Sequence, residues 1–471
     1  MKNRLMKWTF FSILLALGLQ TSTIVAEEDT SHVYYYILID RFENGEPEGD
    51  SDIIDRDDPA GFHGGDYVGI EKNIEHLNEI GVSHVILSPI FQSNDYLGQE
   101  ILSYENLQGT YGSEEELNQL VESFHEAGID VLVEAPLHQM SSDADLISRE
   151  WVSAEGQVDF SDERATDYFI EQLSDWQDRL NVDGFYIPEA EELPTEVTEA
   201  LTSEIEGHWL GGFTTPESLE EGLDRFDEVI RFGDHEQTFE SFKGFDADFS
   251  HLLEQSHFDS ERVAHYIDFL HTDRFTRALE PTGNHPVTRW KLALTYLFTV
   301  PNDPVLFQGT EIPMDGSIDD RSTHQLLNFL VGDEQVTRHV EKLASARNNF
   351  EALQEGDMEV LHEADGFLAF SRTLGEEELY ILINTTQTAQ NITLSDVESG
   401  KEMRGLLEND LVRQDDSGNY RLQADRESAN IYVVDENSGI YWPLTIVVIG
   451  IMSVFIIFAI VMYRKNRHKD I

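Results

Sequence analysis

Val182-Asp183-Gly184-Phe185-Tyr186-Ile187-Pro188-Glu189-Ala190-Glu191-Glu192 is a short apolar run set between Asp-Gly and a proline-led acidic stretch. Its core, 184–187, has the length and composition of one buried strand. Before it, 166–180 carries Tyr168, Phe169, Leu173 and Trp176 at helical spacing. Helix and strand together make one βα unit. The run stops on Pro188, which has neither a nucleophile nor a proton to move.

The same rhythm extends outward from about His32 to Phe350. Short apolar runs at 34–39, 84–87, 130–133, 184–187, 205–210, 245–249, 266–270 and 304–307 alternate with amphipathic stretches such as 114–127. Eight such strands predict a (β/α)₈ TIM barrel over 27–354, with a short insert at about 139–156. Beyond 355 the character changes. Strand-like runs at 359–361, 367–371, 379–384, 391–394 and 430–434 lie between turns at Gly366, Gly375 and Gly418-Asn419. They predict a small antiparallel β-sandwich over 355–435.

Both ends of the chain suggest a membrane topology. Lys2, Arg4 and Lys7 precede an apolar run and a small-residue site ending at Ala26, the pattern of a signal peptide over 1–26. Residues 436–441 form a linker, and 442–463 are almost wholly apolar. At about 1.5 Å per residue that run matches a bilayer core. The basic tail 464–471 then belongs in the cytoplasm and 27–441 outside. Gly450 and Ser453 could let a helix of a membrane-protein partner approach closely.

The 471 residues carry 91 acidic and 31 basic side chains, a net charge of −60. Such a surface repels nucleic acid and anionic headgroups, so nucleic-acid binding is excluded. There is no cysteine, and the exported part is long enough to build its core without disulfides. Asp50, Asp52, Asp55, Asp57 and Asp58 cluster but lack the spacing and glycine of an EF-hand loop.

Several segments together resemble glycoside hydrolase family 13, the alpha-amylase family. Tyr36-Ile37-Leu38-Ile39-Asp40-Arg41-Phe42-Glu43-Asn44-Gly45 resembles its first-strand signature, and Gly64-Gly65-Asp66 the following loop. Gly81 to Ile90 resembles the second strand, Val158-Asp159-Phe160-Ser161 a Pro-Asp-Leu-Asn element, and Asp303 to Glu311 the eighth strand. The opening stretch resembles the fourth strand, Gly-Phe-Arg-x-Asp, with Tyr186 at the arginine and Pro188 at the nucleophilic aspartate.

The resemblance implies three carboxylates at the C-terminal ends of the strands. None has an intact match. The proton donor, in a Gly-Glu element of the fifth strand, maps best to His208 within Glu206-Gly207-His208-Trp209. The third carboxylate follows histidine as His-Asp. In His271-Thr272-Asp273-Arg274-Phe275, with one residue missing, Thr272 takes its place, with Asp273 as the alternative, a shifted replacement. On the third strand His138 is kept, but Val133 and Leu137 replace the family's aspartate and calcium-binding asparagine, which implies loss of the structural calcium site. Expected cleft residues are Tyr104, His138, Tyr186, His208, Trp209, His271 and Asp273, with Trp209 as a sugar platform.

Three readings follow. One is a catalytically silent cell-surface protein that binds an alpha-glucan or maltooligosaccharide. Another is an atypical hydrolase using Glu189, Glu191 or Glu192 with His208 as proton donor, although Glu189 should face away from the cleft unless Pro188 distorts the strand end. The third is an ancillary partner of another membrane protein.

Overall fold

The computed structural model describes residues 32–46, 53–233, 235–245, 247–256, 262–329, 332–436 and 442–467. The leader expected at 1–26, Asp50 and Asp52, nearly all of the 436–441 linker and the end of the basic tail lie outside them.

Eight parallel strands close into a barrel. They are β1 (Tyr34–Ile37), β2 (His84–Leu87), β3 (Asp130–Glu134), β4 (Gly184–Ile187), β5 (His208–Phe213), β6 (Glu228–Arg231), β7 (Val263–Tyr266) and β8 (Asp303–Phe307). β1 pairs with both β2 and β8, completing the ring. Alternation along each strand builds two cores. Outward side chains such as Tyr35, Val85, Val131, Phe185 and Trp209 join the helices in one apolar cluster. Inward ones such as Tyr36, Ile86, Leu132, Tyr186, Leu210 and Ile230 fill the barrel.

Three strands sit elsewhere than predicted. The fifth is displaced C-terminally from 205–210, because Ile205 ends the helix Thr195–Glu204 instead of starting the strand. The sixth is Glu228–Arg231, hidden in the sequence by a buried glutamate, whereas the 245–249 run forms no strand among its described residues. The seventh ends at Tyr266, and the apolar Phe269 and Leu270 enter a turn closed by Thr272, whose hydroxyl accepts from the Phe269 amide at 2.9 Å.

The C-terminal strands are β9 (Asp357–Ala364), β10 (Phe367–Leu374), β11 (Glu377–Asn384), β12 (Gln390–Leu394), β13 (Lys401–Gly405), β14 (Leu411–Arg413), β15 (Tyr420–Ala424) and β16 (Ser428–Glu436). Six form an antiparallel sheet in the order β9-β10-β11-β16-β13-β14, and β12 pairs with β15. Buried arginines tie this unit to the barrel. Arg372 donates to the carbonyls of Thr299 (2.8 Å) and Gly356 (3.1 Å), and Arg289 pairs with Glu427 at 2.9 Å.

A last helix spans Trp442–Arg467, and its described apolar side chains, Ile446 to Phe458, are exposed. The Ser453 hydroxyl bonds back to the Ile449 carbonyl at 2.7 Å. Among the described residues no helix is long and apolar enough to cross a membrane, and several side chains of this one lie outside them.

Candidate functional site

The C-terminal ends of β3 to β7 open into a cleft of about 560 Å³, within the size range of small-molecule sites. Barrel chemistry belongs at this end. Alternation fixes which residues face it. Since Leu210 lies inside the barrel, His208 and Gly212 also point inward, at the N-terminal and C-terminal ends of β5. Gly212 therefore lines the cleft, and His208 lies at the opposite end of the barrel. The Gly-Glu element expected on the fifth strand falls on Gly211-Gly212.

Pro188 lines the cleft at the end of β4, beside Tyr186. Beyond the seventh strand His271 and Thr272 both line the cleft, and the Thr272 hydroxyl donates to the Phe269 carbonyl at 3.2 Å. Read without a gap, the run Thr272-Asp273-Arg274-Phe275 would set His271, rather than Thr272, at the aspartate's place.

Of the seven expected cleft residues, His138, Tyr186 and His271 are brought together. Four are not. Tyr104 is buried, with its hydroxyl on the Pro136 carbonyl. Trp209 points outward into the helix layer, its ring tilted against Phe185 at 5.4 Å and its indole N–H on the Ile205 carbonyl, so it offers no face to a sugar. His208 is at the barrel floor. Asp273 caps a loop, accepting from the Ser317 hydroxyl (2.9 Å) and the Ile318 amide (2.7 Å).

Three carboxyl groups line the cleft, those of Glu100, Glu134 and Glu189. Glu189 has φ +48°, a left-handed backbone unusual for a residue with a side chain. That turn brings its carboxylate to 3.3 Å from His138 Nε2, into the cleft rather than away from it. Glu191 instead holds a cleft loop, accepting from the Thr214 amide at 3.1 Å. Glu134, missed in the sequence, ends β3 fully buried and accepts a 2.5 Å hydrogen bond from Tyr36. The signal was a lone carboxylate closing the apolar run of β3. Burial pushes Glu134 up to about 8; the Tyr36 hydrogen bond opposes this and the Glu189 charge adds to it. Burial also holds the His271 imidazole below its ordinary value.

Glu134 gives a pH test. Between its ordinary value of 4.5 and about 8 the folded chain keeps a proton that the unfolded chain has lost. Native stability therefore falls as pH rises through that window. Glu134→Gln keeps an acceptor for Tyr36 and has no proton to lose. Its stability relative to the native chain is expected to climb across the window and level off above it, as urea midpoints will show.

Two family models match the chain, the alpha amylase catalytic domain over 36–199 and the alpha-amylase C-terminal domain over 356–432. Both parts of the chain thus resemble the alpha-amylase family. It is similar to a cyclomaltodextrinase of Thermoanaerobacter pseudethanolicus, 24% identical over 461 residues, which cover 84% of this chain and 77% of that one. It is 22% identical to a beta/alpha-amylase of Paenibacillus polymyxa over 80% of this chain, but spans only 36% of that protein's length. Among solved structures, an Anoxybacillus alpha-amylase superposes with a TM-score of 0.82 at 27% identity, covering 88% of this chain and 100% of that one.

Proposed function

We propose that this chain is an alpha-glucan-binding member of the family that does not hydrolyse glucan by the family's three-carboxylate mechanism. One observation carries the reading: Pro188 and Gly212 line the cleft at the ends of the fourth and fifth strands, and His271 and Thr272 line it beyond the seventh, with no carboxylate among them. A retaining mechanism needs two carboxyl groups about 5–5.5 Å apart, one to attack the sugar and one to move a proton. Proline and glycine do neither. What the cleft offers is imidazoles to bond hydroxyls and aromatic surface from Tyr186, Phe232 and Tyr266. The names of the relatives, cyclomaltodextrinase and beta/alpha-amylase, support an alpha-glucan as the ligand class. The apolar run 442–463 and its basic flank support a single membrane anchor with the barrel outside the cell.

A second reading has its own support. Glu134, held protonated near neutral pH, has the character of a general acid, and Glu189 in the same cleft that of a carboxylate base or nucleophile. Maltoheptaose offered to the full chain in detergent micelles separates the two. Binding without cleavage is expected, with affinity reduced at least about tenfold by His138→Ala combined with His271→Ala, roughly two lost hydrogen bonds. Cleavage abolished by Glu134→Gln or Glu189→Gln would establish the second reading instead. Absence of both binding and cleavage would overturn both and favour an ancillary role.

A further inference from the structure

The floor of the barrel, opposite the cleft, is polar where barrels of this kind pack layers of branched apolar side chains. His208 and Glu228 head β5 and β6, and His32 lies two residues before β1. One ligand-capable atom from each lies within 4.8 Å of the other two. His32 Nδ1 is 2.9 Å from Glu228 Oε2. The Tyr34 hydroxyl stands among them, 2.8 Å from His208 Nε2, 3.3 Å from His32 Nδ1 and donating to Glu228 Oε2 at 2.5 Å.

These separations bracket those of a tetrahedral ion. Ligand distances of about 2.0–2.1 Å set neighbouring donor atoms about 3.3 Å apart. A hydrogen-bond network alone accounts for the cluster less well. Glu228 is 2% exposed, yet its Oε1 has no hydrogen-bond partner among the described residues. A buried carboxylate oxygen without a partner is costly, and a cation is one of the few things that satisfies it. His84 packs its ring 4.4 Å from that of His32 and encloses the group from the side.

We propose that the barrel floor binds one divalent transition-metal ion of the zinc class through His32, His208 and Glu228, with the Tyr34 hydroxyl as fourth neighbour. Two imidazoles and a carboxylate are a borderline-soft set that suits such an ion better than calcium or magnesium, which take oxygen ligands. The site's place in the fold makes it structural. It fastens the chain entering β1 to β5 and β6 on the far side of the ring, and the half-buried His32 gives it a way in from solvent.

The test uses the full chain in detergent micelles, stripped with a chelator and titrated separately with zinc and cobalt(II) chloride. One ion per chain is expected, with a tetrahedral-type visible absorption for cobalt and a higher unfolding temperature with zinc. His32→Gln, outside the strands, and His208→Gln should each weaken binding at least about tenfold, the lower end for loss of a ligand-shell group. No cobalt absorption in the native chain would overturn the site without recourse to any variant. Undiminished binding in both folded variants would overturn it equally, by placing the metal elsewhere.

Discussion

A chain carrying Tyr186→Arg, Pro188→Asp, Gly212→Glu and His271→Asp together is expected to release reducing ends from maltoheptaose at least about 10²-fold faster than the native chain, the lower end of what a positioned acid–base group contributes. The four changes restore the family pattern at the positions that face the cleft. They have to be made together, because catalytic groups that act as a unit give little singly. Tyr186 has to change along with Gly212 for steric reasons: a Cβ at 212 would meet the Tyr186 hydroxyl and the Phe232 ring, each at 3.0 Å. Pro188→Asp alone is expected to leave the rate at background. Native turnover equal to that of the fourfold variant would sink the proposal that these positions explain a loss of hydrolysis.

The largest expected loss of stability is at Arg347. Its guanidinium is 1% exposed, pairs with Asp303 at the head of β8 and donates to the Leu353 carbonyl at 3.1 Å. Burial and the nearby Glu228 push Asp303 up, and Arg347 is the main group opposing them. Arg347→Met leaves that carboxyl buried without its charge partner and should cost about 3–5 kcal/mol. The urea midpoint should fall with little change in slope. Adding Asp303→Asn should recover part of the loss, because the buried carboxyl left without its partner is removed as well. A loss below about 1 kcal/mol would mean that the floor rearranges around Asp303.

The barrel and its partner sheet were legible because their signals are local. β2 and β4 lie at the residues read from the sequence, and the first, third and eighth strands differ only at their ends. The cleft was less legible because it depends on where each strand stops. Starting β5 at Ile205 placed His208 and Trp209 near the active end. With the strand at His208–Phe213, the same alternation sends His208 to the floor and Trp209 to the helix layer, and brings Gly212 to the cleft. A glycine has no side chain to announce a catalytic position, so nothing local drew attention to it. Glu189 was misjudged for another reason: period-two alternation does not survive a left-handed residue at the strand end. Pro188, Tyr186 and His138 line the cleft as expected because each lies in or beside a motif whose register is fixed by its own residues; His271 lines it too, although the register of its motif is open by one residue.

The strand order of the C-terminal sheet has a mechanical consequence. β16 is the last strand in sequence but lies inside the sheet, paired with β11 from Ser428 to Val433 and with β13 from Tyr432 to Glu436. A force drawing on the chain beyond Glu436 acts along β16, across hydrogen bonds that run perpendicular to it on both sides. Those bonds are loaded in shear and must yield together, whereas an edge strand peeled from its end gives them up one at a time. Buried arginines then pass the load to the barrel. The strand at which the chain leaves the domain is thus held on both sides, and its resistance to a pull should be set by a slow unfolding rate rather than by equilibrium stability.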